Sequence, residues 1–139
     1  MRYSAFNALW REMARIIVRT IKKKEKQEPK KVDLAGKVIA VDFDGTLAKS
    51  QYPSIGEPNH LLIAALKEAK KNGAKIILWT CRSGKELEEA VLWSRMQGLK
   101  FDAINDDLPE VKERFGDTSK KIFAHYYIDD RALRPGEVY

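Results

Sequence analysis

The stretch Val38-Ile39-Ala40-Val41-Asp42-Phe43-Asp44-Gly45-Thr46-Leu47 decides the reading of the fold. Its first four residues are all apolar and mostly β-branched, the composition of a strand buried on both faces, as in parallel sheets. Two carboxylates two residues apart follow directly, at the strand's C-terminal end, where open α/β sheets place their ligands. On an extended backbone they share a face and repel one another, so a compensating cation is expected, and a divalent one is the simplest. Gly45 permits a sharp turn immediately after the pair.

Working outward, the same pattern recurs. Lys75-Ile76-Ile77-Leu78-Trp79 is a second apolar run, and Ala124 to Ile128 contains a third. A helix is predicted over about 60–72, with Leu61, Leu62, Ala65, Leu66 and Ala69 in its stripe and Asn72-Gly73 as its stop. Another is predicted over about 84–97, with Leu87, Ala90, Val91 and Met96, capped by Ser83 and stopped by Gly98. A short strand around 101–104 follows. Strand, helix, strand, helix, strand is the order of a doubly wound α/β domain.

Upstream, residues 4–26 read as an amphipathic helix with Phe6, Leu9, Trp10, Met13, Ile16, Ile17 and Ile21 spaced by threes and fours. Residues 1–31 hold ten Lys and Arg against three Glu, net +7, whereas the remainder holds sixteen against seventeen, net −1. The excess charge of +6 therefore belongs to the N-terminal segment, and the chain divides into a basic helix with its linker, 1–34, and a nearly neutral domain, 35–139. The helix stripe can pack on the domain or on a second copy in a homo-oligomer. It can equally lie on an anionic membrane surface or accompany a nucleic-acid contact. Arg11 and Arg15 interrupt any secretory-signal core, while an Arg-rich organelle transit peptide stays open. With 139 residues and 44% apolar composition the chain can bury one ordinary core. No apolar run approaches the length of a membrane span. The lone cysteine, Cys81, excludes an intramolecular disulfide and suits a reducing, cytoplasmic setting.

The chemistry-bearing residues gather at strand ends. Thr80 stands at the end of the second apolar run, with Cys81 and Arg82 behind it and a helix start beyond, whose free N–H groups suit an anion. Asp129-Asp130 ends the last run, and Lys120 and Lys121 precede it.

Asp-Phe-Asp-Gly-Thr-Leu, then Leu78-Trp79-Thr80-Cys81-Arg82, then a lysine, then Tyr127-Ile128-Asp129-Asp130-Arg131, resembles in kind and order the haloacid dehalogenase-like (HAD) hydrolase superfamily. The resemblance covers about residues 36–132 and is nearest to small bacterial and phage members. The Asp-Asp-Arg ending is also similar to the phosphatase domain of polynucleotide kinase-phosphatases. It implies an α/β, HAD-like Rossmannoid three-layer sandwich with a parallel sheet. Thirty-five residues separate Asp44 from Thr80 and forty separate Thr80 from Lys121, too few for a cap domain; the loop 49–59 is the nearest thing to a lid. The resemblance further implies a Mg²⁺-dependent phosphohydrolase. Asp42 would be the nucleophile forming an aspartyl-phosphate, and Asp44 the general acid. Thr80 and Lys121 would bind the phosphoryl group, beside Cys81 and Arg82. Asp42, Asp44 through its carbonyl, Asp129 and Asp130 would hold the metal. Lys121 is preferred to Lys120 on its spacing to Asp129. Arg82 would either reach substrate phosphate or cover the helix start. Cys81 reads as a packed thiol rather than a nucleophile, and His125 as a satisfied structural histidine. The substrate would be a phosphorylated small molecule or nucleotide. The alternatives are a nucleic-acid 3′-end phosphatase and a catalytically silent binding module.

Overall fold

A computed structural model describes residues 2–25, 30–116 and 119–139. The chain divides into two compact units, 1–33 and 34–139. The first is helix α1, Arg2–Glu25. In the second, β1 (Val38–Val41), α2 (His60–Lys71), β2 (Lys75–Leu78), α3 (Gly84–Met96), β3 (Ala103–Ile104), α4 (Pro109–Phe115) and β4 (Tyr126–Ile128) follow one another, with a 3₁₀ turn at Pro135–Glu137. The described residues form an α/β architecture with a four-stranded, all-parallel sheet and four α-helices. No described helix is long and apolar enough to cross a membrane.

The strand order is β3-β2-β1-β4. Ile39 pairs with Ile76 and Tyr126, so β1 is central, and its side chains are almost wholly buried. The chain steps from β1 to β2 to β3 in one direction, then returns across the sheet to the far side of β1. Right-handed crossovers that run in opposite directions place their helices on opposite faces. The two cores show this. Ile39, Val41, Ile76 and Leu78 pack with Ile63 and Leu66 of α2 and Ala90 of α3, while Ala40 and Ile77 pack with Leu108, Val111 of α4, Ile122 and Ala124.

The helix boundaries match their sequence signals to within a residue or two, with Asn59 capping α2 through its side chain to the Leu62 N–H at 3.2 Å. Ser83 occupies the N-cap position of α3 but its side chain makes no capping bond. Helix α4 was not expected. Its seven residues are too few to show a period, and the one local signal is Pro109 at its first turn. The strand expected around 101–104 is two residues long, and the one expected within 124–128 is three, both edge strands with one neighbour each. His125 is structural as expected, its Nδ1 accepting the Val38 N–H at 2.9 Å.

Candidate functional site

The chain reverses direction across the sheet between β1 and β4. The carboxyl edge at such a reversal is the crevice where doubly wound sheets bind ligands. Asp42 leaves β1 there, its N–H still donating to the Ile128 carbonyl at 3.0 Å. Asp129 and Asp130 leave β4 beside it. One carboxylate oxygen from each of Asp42, Asp129 and Asp130 lies within 4.8 Å of the others. Residues 42 and 129, far apart in sequence, are neighbours because β1 and β4 pair in parallel register.

Two further residues close this cluster, and the sequence reading assigned neither a place in it. Thr46 is buried; its Oγ1 accepts the Asp130 N–H at 3.1 Å and lies 3.4 Å from both Asp42 Oδ2 and Asp130 Oδ1. A hydroxyl has one proton, so it can serve only one of the two carboxylates at a time. Gly45 has φ +81°, and a Cβ built on it would lie 2.3 Å from Asp130 Oδ2. This position therefore needs glycine twice over, for the turn and for the close approach of Asp130. The signal for Thr46 was present in the Asp-Gly-Thr run, but its reach to Asp130 depends on the β1–β4 pairing.

Asp42 is pushed up from the ordinary 3.8 to about 6. Burial is the main cause, and the neighbouring charges of Asp129 and Asp130 add to it; hydrogen bonds from the Phe43 N–H and the Thr46 hydroxyl act the other way. The crevice thus holds a concentration of negative charge, at the edge of the core, that its own side chains do not neutralise.

Asp44 points elsewhere. Both its oxygens accept from Arg82, Oδ2 from Nε at 2.8 Å and Oδ1 from Nη2 at 2.8 Å, a fork-to-fork pair. The remaining guanidinium hydrogens go to the carbonyls of Pro53 at 3.0 Å, Ser54 at 2.8 Å and Glu86 at 3.4 Å. The rings of Phe43 and Tyr52 lie 5.0 and 5.1 Å from the guanidinium carbon. Arg82 is buried with its donors committed, so of the two expectations for it the substrate contact gives way to a structural one. It ties together the turn after β1, the loop 52–54 and the first turn of α3. The loop 49–59, the nearest thing to a lid in the sequence, is thereby fastened, and it also closes on itself through Lys49 N–H to the Glu57 carbonyl at 2.8 Å.

Arg82 turns inward, and its neighbour Cys81 is free and exposed, not packed as expected. Thr80 is fixed at its backbone, its N–H donating to Asn105 Oδ1 at 2.8 Å, while its Oγ1 accepts the Arg82 N–H at 3.1 Å. Asn105, at φ 50°, is a further positioning residue that the sequence did not single out. Lys121 is not brought into the cluster by any contact among the described residues. Its Nζ lies 5.4 Å from the Tyr127 ring, and the side chain lines a cleft of about 700 Å³ with Asp107, Glu110, Arg114, Phe115 and Phe123.

A solved structure, that of a conserved protein from Bacteroides thetaiotaomicron, has the same fold: it is 41% identical, with a TM-score of 0.63, over 70% of this chain and 78% of that one. The chain belongs to that protein's family. Neither the protein-family models nor the curated proteins contain a match to the chain.

Proposed function

We propose that the chain is a Mg²⁺-dependent phosphomonoester hydrolase of the haloacid dehalogenase-like type, acting on a phosphorylated small molecule or nucleotide through an aspartyl-phosphate on Asp42. The observation that supports this reading is the gathering of Asp42, Asp129 and Asp130 within 4.8 Å at the reversal point of the sheet. Ligands around a Mg²⁺ at its usual bond length are about 3.0 Å apart when adjacent and about 4.2 Å when opposite. Three carboxylate oxygens within 4.8 Å of one another are near enough to converge on one ion by side-chain adjustment, and carboxylate oxygen is the donor this ion prefers. Mg²⁺ held by Asp42, Asp129 and Asp130 would supply the positive charge that offsets the repulsion between a carboxylate and a phosphate dianion.

The protein's own groups do the rest. An oxygen of Asp42 attacks phosphorus as the bond to the ester oxygen breaks, and the departing oxygen takes a proton from Asp44. Water, giving a proton back to Asp44, then attacks the same phosphorus; the bond to Asp42 breaks and inorganic phosphate leaves. Thr80, held by Asn105 and by the Arg82 N–H, presents its hydroxyl to a phosphoryl oxygen. Lys121 would supply a second cation only by swinging from the Tyr127 ring and the cleft it lines toward the cluster. Asp44 reaches its role only by releasing one of its two bonds to Arg82 and taking up a proton from solvent on the freed oxygen, so the pair sets a cost on the acid step.

The experiment is a panel of aryl, sugar and nucleoside phosphates with Mg²⁺, using Asp42→Asn as the blank. Hydrolysis by the wild type alone is expected. Equal release by both proteins, or by neither on any substrate, would sink the reading.

A further inference from the structure

Helix α1 is outside the proposed chemistry, and its two sides differ sharply. At 100° per residue, Ile16, Leu9, Met13, Phe6, Ile17, Trp10 and Ile21 fall in one arc of about 140°, shared with Thr20 and, at the two helix ends, with Arg2 and Lys24. Each of these apolar residues is 50–66% exposed. Arg11, Lys22, Arg15, Arg19 and Lys23 fall in the opposite arc of about 120°. We propose that α1 docks on an anionic lipid surface, lying in the interface with the apolar arc in the acyl boundary and the basic arc among the headgroups.

Two details fit that setting. Thr20 lies inside the apolar arc, and its hydroxyl donates back to the Ile16 carbonyl at 2.8 Å, so this hydroxyl brings no free donor to the apolar medium. Glu12, the one acid on the basic side, lies 3.4 Å from Arg15, so the repulsion it would meet from anionic headgroups is offset. Beyond the helix the sequence adds Lys26, Lys30 and Lys31, a basic run of the kind that strengthens binding to acidic leaflets. The helix is not long and apolar enough to cross a bilayer, so any membrane contact would be at the surface.

Two other occupants fit less well. In a paired coiled coil the apolar residues keep a seven-residue repeat. Phe6, Trp10, Met13 and Ile17 begin one, but the next two positions are Thr20 and Lys24, so the seam ends halfway. A second copy would also bring basic flank against basic flank. Nucleic acid would engage the basic arc and leave the apolar arc in water. A lipid interface covers both.

The test uses the full chain with vesicles of phosphatidylcholine alone and of phosphatidylcholine with phosphatidylserine, read by co-sedimentation. Binding to the acidic vesicles is expected, weakening about tenfold or more in high salt. It should be lost in Ile16→Glu/Ile17→Glu and reduced in Arg15→Glu/Arg19→Glu, with hydrolytic activity the same in all three proteins. Equal binding to neutral vesicles would overturn the assigned lipid charge. Absence of vesicle binding would overturn the proposal itself, whether sedimentation shows a dimer broken by the isoleucine variant or an oligonucleotide binds regardless of it.

Discussion

Removing the Arg82 guanidinium should unfasten more of the domain than any other single surface-loop change. Its side chain is 1% exposed and that of Asp44 24% exposed, so Arg82→Met leaves a largely buried carboxylate without its partner. Breaking a buried ion pair from one side costs about 3–5 kcal/mol. The exposure of Asp44 lets water recover part of this, on the order of 1–2 kcal/mol. The Pro53 and Ser54 carbonyls lose their donors too, at about 1 kcal/mol each where water cannot replace them. The sum is about 3–5 kcal/mol, a large share of the 5–15 kcal/mol typical of a domain. For a unit of this size it lowers Tm by on the order of 15–20 °C. Arg82→Lys keeps the charge but not the fork, and should recover less than half of the loss. Urea denaturation of the wild type, Arg82→Met, Asp44→Leu and the double variant gives the coupling directly. The double variant should be more stable than Arg82→Met alone, because no charge is left stranded. A loss below about 1 kcal/mol in Arg82→Met, or strict additivity in the cycle, would refute the reasoning.

The other predictions concern the acidic crevice and the first unit. In metal-free protein Asp42→Asn should raise stability at about pH 8 by about 1–2 kcal/mol, and the gain should fade as pH drops through 6 toward 3.8. The sign follows because Asp42 in the fold gives up its proton at a higher pH than in the unfolded chain, so rising pH costs the native state; denaturation midpoints of the two proteins across pH check it. Mg²⁺ should raise the Tm of the wild type, by about 2.7 kcal/mol of stability at a hundredfold excess over its Kd, and calorimetry should show no such gain in Asp129→Asn/Asp130→Asn. Hydrolysis should require Mg²⁺ and be inhibited by Ca²⁺, whose longer bonds would misplace Asp42; full turnover in excess chelator would contradict this. Deleting residues 1–33 should leave a folded unit with unchanged turnover of an aryl phosphate, since the two units are compact separately; an insoluble product would place the apolar stripe of α1 in the domain core.

What could be read before the fold was known depended on how much of each signal is local. Val38–Val41 and Lys75–Leu78 were legible as strands because a strand buried on both faces must be apolar at every position. Edge strand β4 has one neighbour and half-exposed tyrosines, so it keeps little of that pattern and only the stretch that contains it was legible. Helix α4 has one buried-side contact, Val111, and no room for a period. Asp42, Asp129 and Asp130 were legible because position alone, at strand ends, implied convergence. Whether Cys81 or Arg82 turned inward was not legible. Alternation is a property of strands, and both residues lie past the end of β2, where backbone direction is set by contacts with Asp44 and the 52–54 loop.

The distribution of charge within the site gives it a polarity that the motifs alone do not reveal. Asp42 and Asp44 are two residues apart, yet one lies in an acidic crevice and the other against a guanidinium. The turn at Gly45 and the inward course of Arg82 separate them, so the repulsion expected between the two carboxylates does not arise between them. It is moved instead to Asp42, Asp129 and Asp130, where like charges accumulate and burial already disfavours the ionised form of Asp42. The buried arginine is committed to Asp44 while three carboxylates oppose one another, an opposition that the proposed cation would relieve. Arg82 has the opposite effect on its own side: its bonds to Asp44, Pro53, Ser54 and Glu86 make the wall of the crevice rigid. Substituting Arg82 should therefore disturb the protein even with the cation site intact, whereas substituting Asp129 or Asp130 should relieve the metal-free protein and harm only the metal-bound one.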